Sequence, residues 1–430
     1  MAREMKNSGI EWIGDIPSEW ETDRLQWHLE EIKVQNSPVQ SEQVLSLTIE
    51  AGVIPYEDKG NQGNKAKENY EEYKLAYPDT LVVNSMNVII GAVGISKYFG
   101  CVSPVYYVFK ATKDTDLRYI YYLFTNIGFQ KEMRKYAKGI LEIRLRISSA
   151  DMLKRIVPKP SFDEQKRIAD FLDSKCAEID TVIENTKATI EEYKKLKRTV
   201  ITEAVTKGIR GDRIMKDSGI EWIGNIPSEW ENRKMLSILS MRVIDGPHES
   251  PELYDEGIPY ISANAIENGK IDFSKMRGYI SEEYCEQCDK RYKPQKNDIL
   301  VIKLGATTGQ IALVDTEERF NIWVPLAAIR CNNLALPKFV YYAMQSNYYI
   351  RQIENSWTYG TQQTLGVKTI ERLRIVIPDL DEQKEIADFL DRKCSKFDKL
   401  IADKTHLLEE LESYKKSVIY EYVTGKKEVK

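Results

Sequence analysis

From residue 163 onward apolar side chains return every three or four positions: Ile168, Leu172, Cys176, Ile179, Ile183, Thr186, Ile190, Tyr193, Leu196 and Val200. That spacing averages about 3.5 residues, the period that keeps one seam of an α-helix facing a partner helix. The pattern comes back at Ile386, Leu390, Cys394, Phe397, Ile401, Lys404, Leu408, Leu411, Tyr414 and Val418. Each run opens alike. Pro160 precedes Ser161 and, three residues on, Glu164; Pro378 precedes Asp379 and Glu382. This spacing predicts a capping box at both starts. Each run predicts a helix of roughly 40 residues, ~60 Å long at ~1.5 Å per residue. A stripe of that length must be covered, and the other helix is the nearest cover. The two helices are therefore expected to pack antiparallel, with the remaining chain as a domain at either end of an elongated, pseudo-two-fold molecule.

Outside these runs the pattern shifts to short β-branched and aromatic stretches punctuated by Gly and Asn, at residues 81–83, 87–90, 105–109, 298–303, 310–314 and 373–377. These predict strands, with helical stretches near 117–134 and 337–354, hence a mixed α+β class. The 25 Tyr residues either pack at strand and helix surfaces or stack on bases, and the pattern leaves both open.

The two helical runs belong to a larger repeat. Residues 5–21 (MKNSGIEWIGDIPSEWE) and 215–231 (MKDSGIEWIGNIPSEWE) differ at two positions, as do 163–176 (DEQKRIADFLDSKC) and 381–394 (DEQKEIADFLDRKC). The chain is a tandem duplication with a boundary near 208–214. The first block repeats at an offset of 210 and the second at 218, so the stretches between them differ by eight residues. Those stretches align only at scattered points. Two nearly copied frames thus carry two dissimilar inserts, giving expected domains at 1–159 and 209–377 and long helices at 160–208 and 378–430. The copied Trp12, Trp20, Trp222 and Trp230, with Pro17 and Pro227 turning the chain, are expected to staple an extended lead-in onto each domain rather than to cage a ligand.

Composition narrows the class. With 62 Lys+Arg against 66 Asp+Glu, a net charge of -4 and 42% hydrophobic residues, the chain reads as globular. Nothing in the net charge advertises a nucleic-acid binder. Six scattered Cys fit reduced thiols rather than a disulfide framework. The N-terminus lacks an apolar signal core and no run approaches the ~20 apolar residues of a membrane span, so a soluble, cytoplasmic protein without membrane contact is expected. No phosphate-loop, dinucleotide-binding or amino-methyltransferase motif is present. The three His residues (28, 248, 406) are scattered, and Cys285-Glu-Gln-Cys288 lacks a second ligand pair at zinc spacing. Neither catalytic residues, nor a metal site, nor a cofactor held by this chain is expected.

Charge is informative by segment. Residues 131–159 hold nine Lys/Arg against three acids, and residues 330–374 hold six against two. Both clusters fall late in an insert and just before a long helix. A solvated helix face explains either one alone; the matched placement equally fits nucleic-acid contact. Within each cluster an aromatic stands three residues before a Gly: Tyr136-Ala-Lys138-Gly139 and Trp357-Thr-Tyr359-Gly360. The first is followed by a segment bearing Arg144 and Arg146, the second by Thr361, Gln362 and Gln363. Arg suits a guanine edge and Gln an adenine edge. A shared turn presenting different readers fits two half-site readers; a structural turn with variable neighbours fits as well. The candidate DNA-contact residues are Lys131, Arg134, Lys135, Tyr136, Lys138, Gly139, Arg144 and Arg146 in the first copy. In the second they are Arg351, Trp357, Tyr359, Gly360, Thr361, Gln362, Gln363 and Lys368. The candidate helix seam is Ile179, Ile183, Ile190 and Tyr193 against Phe397, Ile401, Leu408 and Leu411.

The Gly9-Ile-Glu-Trp-Ile-Gly14-x-Ile-Pro17-x-x-Trp20 block, its copy at 219–230, and the Pro-x-x-x-Glu-Gln-x-x-Ile starts at Pro160 and Pro378 resemble the repeated elements of the specificity subunits of type I restriction-modification systems. The resemblance spans essentially the whole chain. It implies two α/β target-recognition domains related by a pseudo-two-fold and joined by two long antiparallel helices forming a coiled coil. Each domain would read half of a split, asymmetric sequence in double-stranded DNA, with the helices fixing the gap. It further implies two methyltransferase subunits docked on the repeats and restriction-translocase subunits beyond them, with S-adenosylmethionine, ATP and Mg on those partners. A coiled-coil scaffold that binds proteins without DNA specificity is the competing reading, distinguished by salt-dependent DNA affinity.

Overall fold

The computed structural model describes residues 3–60, 69–139, 145–359 and 363–429. Its helices, in chain order, are α1 Leu117–Thr125, α2 Ile127–Arg134, α3 Ser149–Leu153, α4 Phe162–Lys207, α5 Glu282–Asp289, α6 Pro337–Gln345, α7 Asn347–Asn355, α8 Val367–Arg372 and α9 Leu380–Val423. Two compact units result, one of residues 1–187 with 406–430 and one of residues 188–405. Each unit therefore holds the beginning of one long helix and the end of the other.

At 46 and 44 residues, α4 and α9 are each about one turn longer than the seam alone predicts. In the first unit Phe171 and Tyr422 stack at 4.3 Å and Lys415 Nζ reaches both Asp180 oxygens at 2.6 Å. Residue numbers rise along one helix as they fall along the other, so the pair is antiparallel. In the second unit Lys197 meets Asp398 in the same register. Ile179, Ile183 and Ile190 are buried, while Tyr193, Phe397, Ile401, Leu408 and Leu411 are half-buried. Leu196 and Tyr414, which the spacing also places on the seam, are exposed.

The inserts share more than their sequences show. In the first unit a four-stranded antiparallel sheet runs in the order Leu29–Ile32, Tyr106–Ala111, Thr80–Asn84, Val93–Ser96. In the second the order is Ile244–Asp245, Leu326–Ile329, Ile299–Ile302, Ile311–Leu313, with the same connectivity. Each sheet packs on a helix pair, α1–α2 or α6–α7, and each main core gathers side chains from both long helices: Ile168, Leu172, Val418 and Ile419 in one, Val205, Ile386 and Leu390 in the other. Around this common frame the units diverge. The first adds the hairpin Leu45–Thr48/Gly52–Pro55; the second adds α5 and the three-stranded sheet of Ile258–Ile261, Gly278–Ile280 and Asn321–Ile322.

Three local expectations change. The apolar run 87–90 is not a strand: Val88–Ile90 is a 3-10 turn closed by Gly91 at φ 88°. The stretches 117–134 and 337–354 each break into two helices. Asn126 leaves the helix in an extended conformation and its side-chain oxygen caps Gly128 N at 2.7 Å and Phe129 N at 3.3 Å, and Ser346 stands at the same break in the second copy. The capping box is only half formed. Ser161 Oγ accepts from Glu164 N and Asp379 Oδ1 from Glu382 N, but the two glutamates turn elsewhere.

They turn to the copied lead-in, which is a hairpin, Met5–Asn7/Asp15–Pro17 and Met215–Asp217/Asn225–Pro227, in identical register. Glu164 accepts from Trp20 Nε1 at 2.8 Å and from Arg3 at 2.7 Å; Glu382 accepts from Trp230 Nε1 at 3.0 Å and from Arg213. The next residue works the opposite side. Gln165 Oε1 accepts from Asp116 N before α1, and Gln383 Oε1 from Leu336 N before α6. The Glu-Gln pair thus bolts each long helix to its lead-in with one side chain and to its helix pair with the other.

Candidate nucleic-acid interface

In each unit the chain leaves the helix pair, makes a short antiparallel excursion, and returns through α3 or α8 to a strand paired with the lead-in, Ile156–Lys159 on Glu21–Arg24 or Arg374–Ile377 on Glu231–Lys234. In the first unit the base of the excursion is the backbone pair Lys138–Arg146, bonded at 2.8 and 2.9 Å. In the second it is Thr358–Thr364 and Tyr359–Gln363. The residues after each excursion are anchored identically: Ile147 N donates to Ser85 O at 3.1 Å and Leu365 N to Lys303 O at 2.8 Å, with both apolar side chains fully buried. The return from each excursion is thus anchored in the same way on one frame.

Lys131 and Arg134 lie exposed on α2, Lys138, Gly139 and Arg146 are exposed at the excursion, and Arg351 and Lys368 are exposed on α7 and α8. Lys131, Lys138, Arg146, Arg351 and Lys368 make no ion pair among the described residues, so their charge faces outward. Lys135 differs: the carboxylates of Glu11 at 2.7 Å and Glu132 at 3.1 Å push its ammonium up to about 12. Tyr136 is covered by the Arg155 guanidinium at 3.3 Å, a cation–π contact. Trp357 is half-buried against the core, and its Nε1 has no partner among the described residues. Arg144, Gly360, Thr361 and Gln362 lie outside the described residues, and of Tyr359 only the strand position is described.

Sequence reasoning missed what backs the excursion in the second unit. Gln363 O accepts from Gly305 N at 3.2 Å and from Thr308 Oγ1 at 3.3 Å. The loop bearing them starts at Lys303, whose ammonium sits 2.7 Å from Asp245 with both side chains nearly buried. Burial opposes the charge on Asp245, yet Lys303, His248 and Arg291 hold its carboxyl below the usual range. The signal was the Gly305-x-x-x-Gly309 spacing between two strand runs; both glycines adopt positive φ, 101° and 93°.

The described helices include none long and apolar enough to cross a membrane. Among the described residues no group of three or more His, Cys, Asp or Glu is placed to hold a metal ion. Cys285 and Cys288 are buried on α5.

The profile of the type I restriction modification DNA specificity domain matches residues 17–192 and 227–413. The chain belongs to that family. It is 26% identical over 441 residues to the putative type I restriction enzyme MjaX specificity subunit of Methanocaldococcus jannaschii, covering 97% of this chain and 96% of that one. It is 28% identical over 252 residues to the type I restriction enzyme EcoBI specificity subunit of Escherichia coli, covering 56% of this chain and 52% of that one. Its fold matches, with TM-score 0.68 and 15% identity over 95% of this chain and 99% of the other, a chain from a structure described as the structural basis of complex assembly and conformational transition of the type I R-M system. Within this specificity subunit the two matched segments each contain one frame, one excursion and most of one long helix. The fold class expected from the sequence, α/β target-recognition domains joined by two long antiparallel helices, is the one observed.

Proposed function

We propose that this chain is the DNA-reading subunit of a type I restriction-modification complex, each unit reading one half of a bipartite, asymmetric site in double-stranded DNA while α4 and α9 set the gap. One observation carries this reading: the same excursion, tied by the same backbone bond to the same sheet, presents Lys138 and Arg146 in one unit and Gln363 in the other. A common frame with different presented side chains is what two readers of unlike half-sites require. The unpaired cations nearby would position phosphates, and the presented side chains would read base edges.

The chain itself carries no chemistry in this reading. S-adenosylmethionine, ATP and Mg belong to methyltransferase and restriction-translocase subunits of a cytoplasmic assembly. Support for two protein partners lies on the long helices, where each unit exposes large apolar side chains that include Val182 and Tyr414 in the first and Leu400 and Leu196 in the second. The pairs repeat at the offset of 218 that relates the two helices, as two copies of one partner would need.

Selection from a randomised duplex pool, by the chain with its methyltransferase subunits, is expected to return a two-part consensus. Affinity for that consensus should fall steeply with salt, at a log–log slope of about -0.9 per phosphate contacted. A pool that yields no consensus, or affinity insensitive to salt, refutes the reading in favour of a protein scaffold.

A further inference from the structure

We infer that each unit reads its half-site with two loops rather than one. The second reader is the loop joining the inner and outer sheet strands, residues 85–92 in the first unit and 303–310 in the second, with Asn87 and Thr307 as its specificity-determining side chains. This rests on the DNA-reading function proposed above. The loop is the surface on which the excursion is built. Ser85 O holds Ile147 N and Lys303 O holds Leu365 N, and in the second unit Gly305 and Thr308 also bond the carbonyl of Gln363. In the second unit the loop therefore stands beside whatever the excursion contacts, and in the first the loop is joined to the excursion at Ser85.

The tips show the signature that marks the excursions as readers: equivalent framework, unlike exposed side chains. Asn87 is exposed in the first unit and Thr307 in the second, although the strands that carry them pair in the same order. The backbone fits close approach to a large ligand. A Cβ built on Gly305 meets nothing within 4 Å, and its φ of 101° reserves the position for glycine, so the loop presents bare backbone to open space next to Gln363. The Asn87 amide suits the N6/N7 edge of adenine, and the Thr307 hydroxyl and methyl suit a hydrogen-bonding edge or a thymine methyl.

The test is consensus selection with the full chain and its methyltransferase subunits, using Asn87→Ala, Thr307→Ala and the milder Asn87→Ser and Thr307→Ser. Asn87→Ala is expected to relax preference at one or two base pairs of one half-site by on the order of tenfold, with the other half unchanged. Thr307→Ala should do the same for the opposite half, more weakly. The untouched half reports that the variant is folded; where an Ala variant loses both halves, the Ser variant decides by the same criterion. Retention of the wild-type consensus by the Asn87 and Thr307 variants, while Arg146→Ala or Gln363→Ala alters it, overturns the two-loop inference and leaves the DNA-reading function standing. Failure of the wild-type chain to select any consensus overturns the function itself.

Discussion

Replacing Glu382 by Gln tests whether the copied blocks exist to join helix and lead-in. The Glu382 side chain is 1% exposed, accepts from Trp230 Nε1 at 3.0 Å, and is gripped by both terminal nitrogens of Arg213, itself 14% exposed. Glutamine preserves shape and one acceptor but removes the charge that Arg213 was buried against. Stripping a buried pair of one partner costs ~3–5 kcal/mol. Arg213 keeps Glu229 and a little solvent, so about 3 kcal/mol, the low end of that range, is expected. For a unit spanning residues 188–405 this corresponds to a fall of about 6–12 °C in Tm, at ~2–4 °C per kcal/mol. Trp230→Phe deletes one donor to the same carboxylate, worth about 1.5–3 kcal/mol, and also shrinks a fully buried ring, so its cost should be at least that. Scanning calorimetry, with hydrogen exchange assigning the early melting to residues 188–405, measures both. A Glu382→Gln variant that melts within 1 °C of wild type refutes the argument and returns the motif to a simple helix cap.

Three further outcomes follow from the same geometry. Gly208, just past the end of α4, has φ 79°, and a Cβ there lies 2.6 Å from an Arg213 nitrogen and 2.9 Å from Glu382; Gly208→Ala should destabilise by more than ~1 kcal/mol, and an unchanged urea midpoint would contradict it. His28 is buried with Nδ1 3.0 Å from Thr115 Oγ1 and Nε2 without a partner among the described residues, and burial holds its imidazole below the usual 6.5. The unfolded chain therefore binds the proton first as pH falls. The His28 contribution to stability is complete above about 6.5 and lost below it, and His28→Gln should flatten stability between pH 7.5 and 5.5 relative to wild type in urea titrations. Inserting one heptad into both α4 and α9 lengthens the paired helices by ~10 Å, about three base-pair steps at ~3.4 Å; a selected consensus with an unchanged gap refutes the ruler.

The helices, their antiparallel pairing and the two-copy plan were legible because each rests on a period or a copied block. The recognition frame was not. Few residues of the two sheets match, yet the strand order is the same, because a sheet core asks only for apolar side chains of suitable volume at alternate positions. Val82 and Val83 in one sheet and Leu300 and Val301 in the other satisfy it equally. The excursions were located by an aromatic–Gly spacing, but their backing loops were not, since the tie to Ser85 and Lys303 runs through carbonyls that any residue supplies.

Copied sequence misleads in the other direction. Trp12 and Trp222 occupy equivalent positions in nearly identical blocks, and the sequence assigns them one role. In the first unit Trp12 packs on Phe129 at 5.7 Å, over Gly128, where a Cβ would come within 2.6 Å of the indole. In the second unit the residue after Asn347 is Tyr348, fully buried at the place Gly128 occupies in α2, and Trp222 is 38% exposed. The copied block is therefore nearly identical in sequence and unlike in surface, and the difference goes with the insert, at a glycine whose importance lies in what it leaves room for. If a large side chain at this helix position is what keeps the indole out, Gly128→Tyr should expel Trp12, and the matching Tyr348→Gly should open a space that Trp222 fills. Red-shifted indole emission from the first variant and a blue shift from the second are the expected readings. Unchanged spectra would show that the lead-in, not the insert, sets where these tryptophans sit.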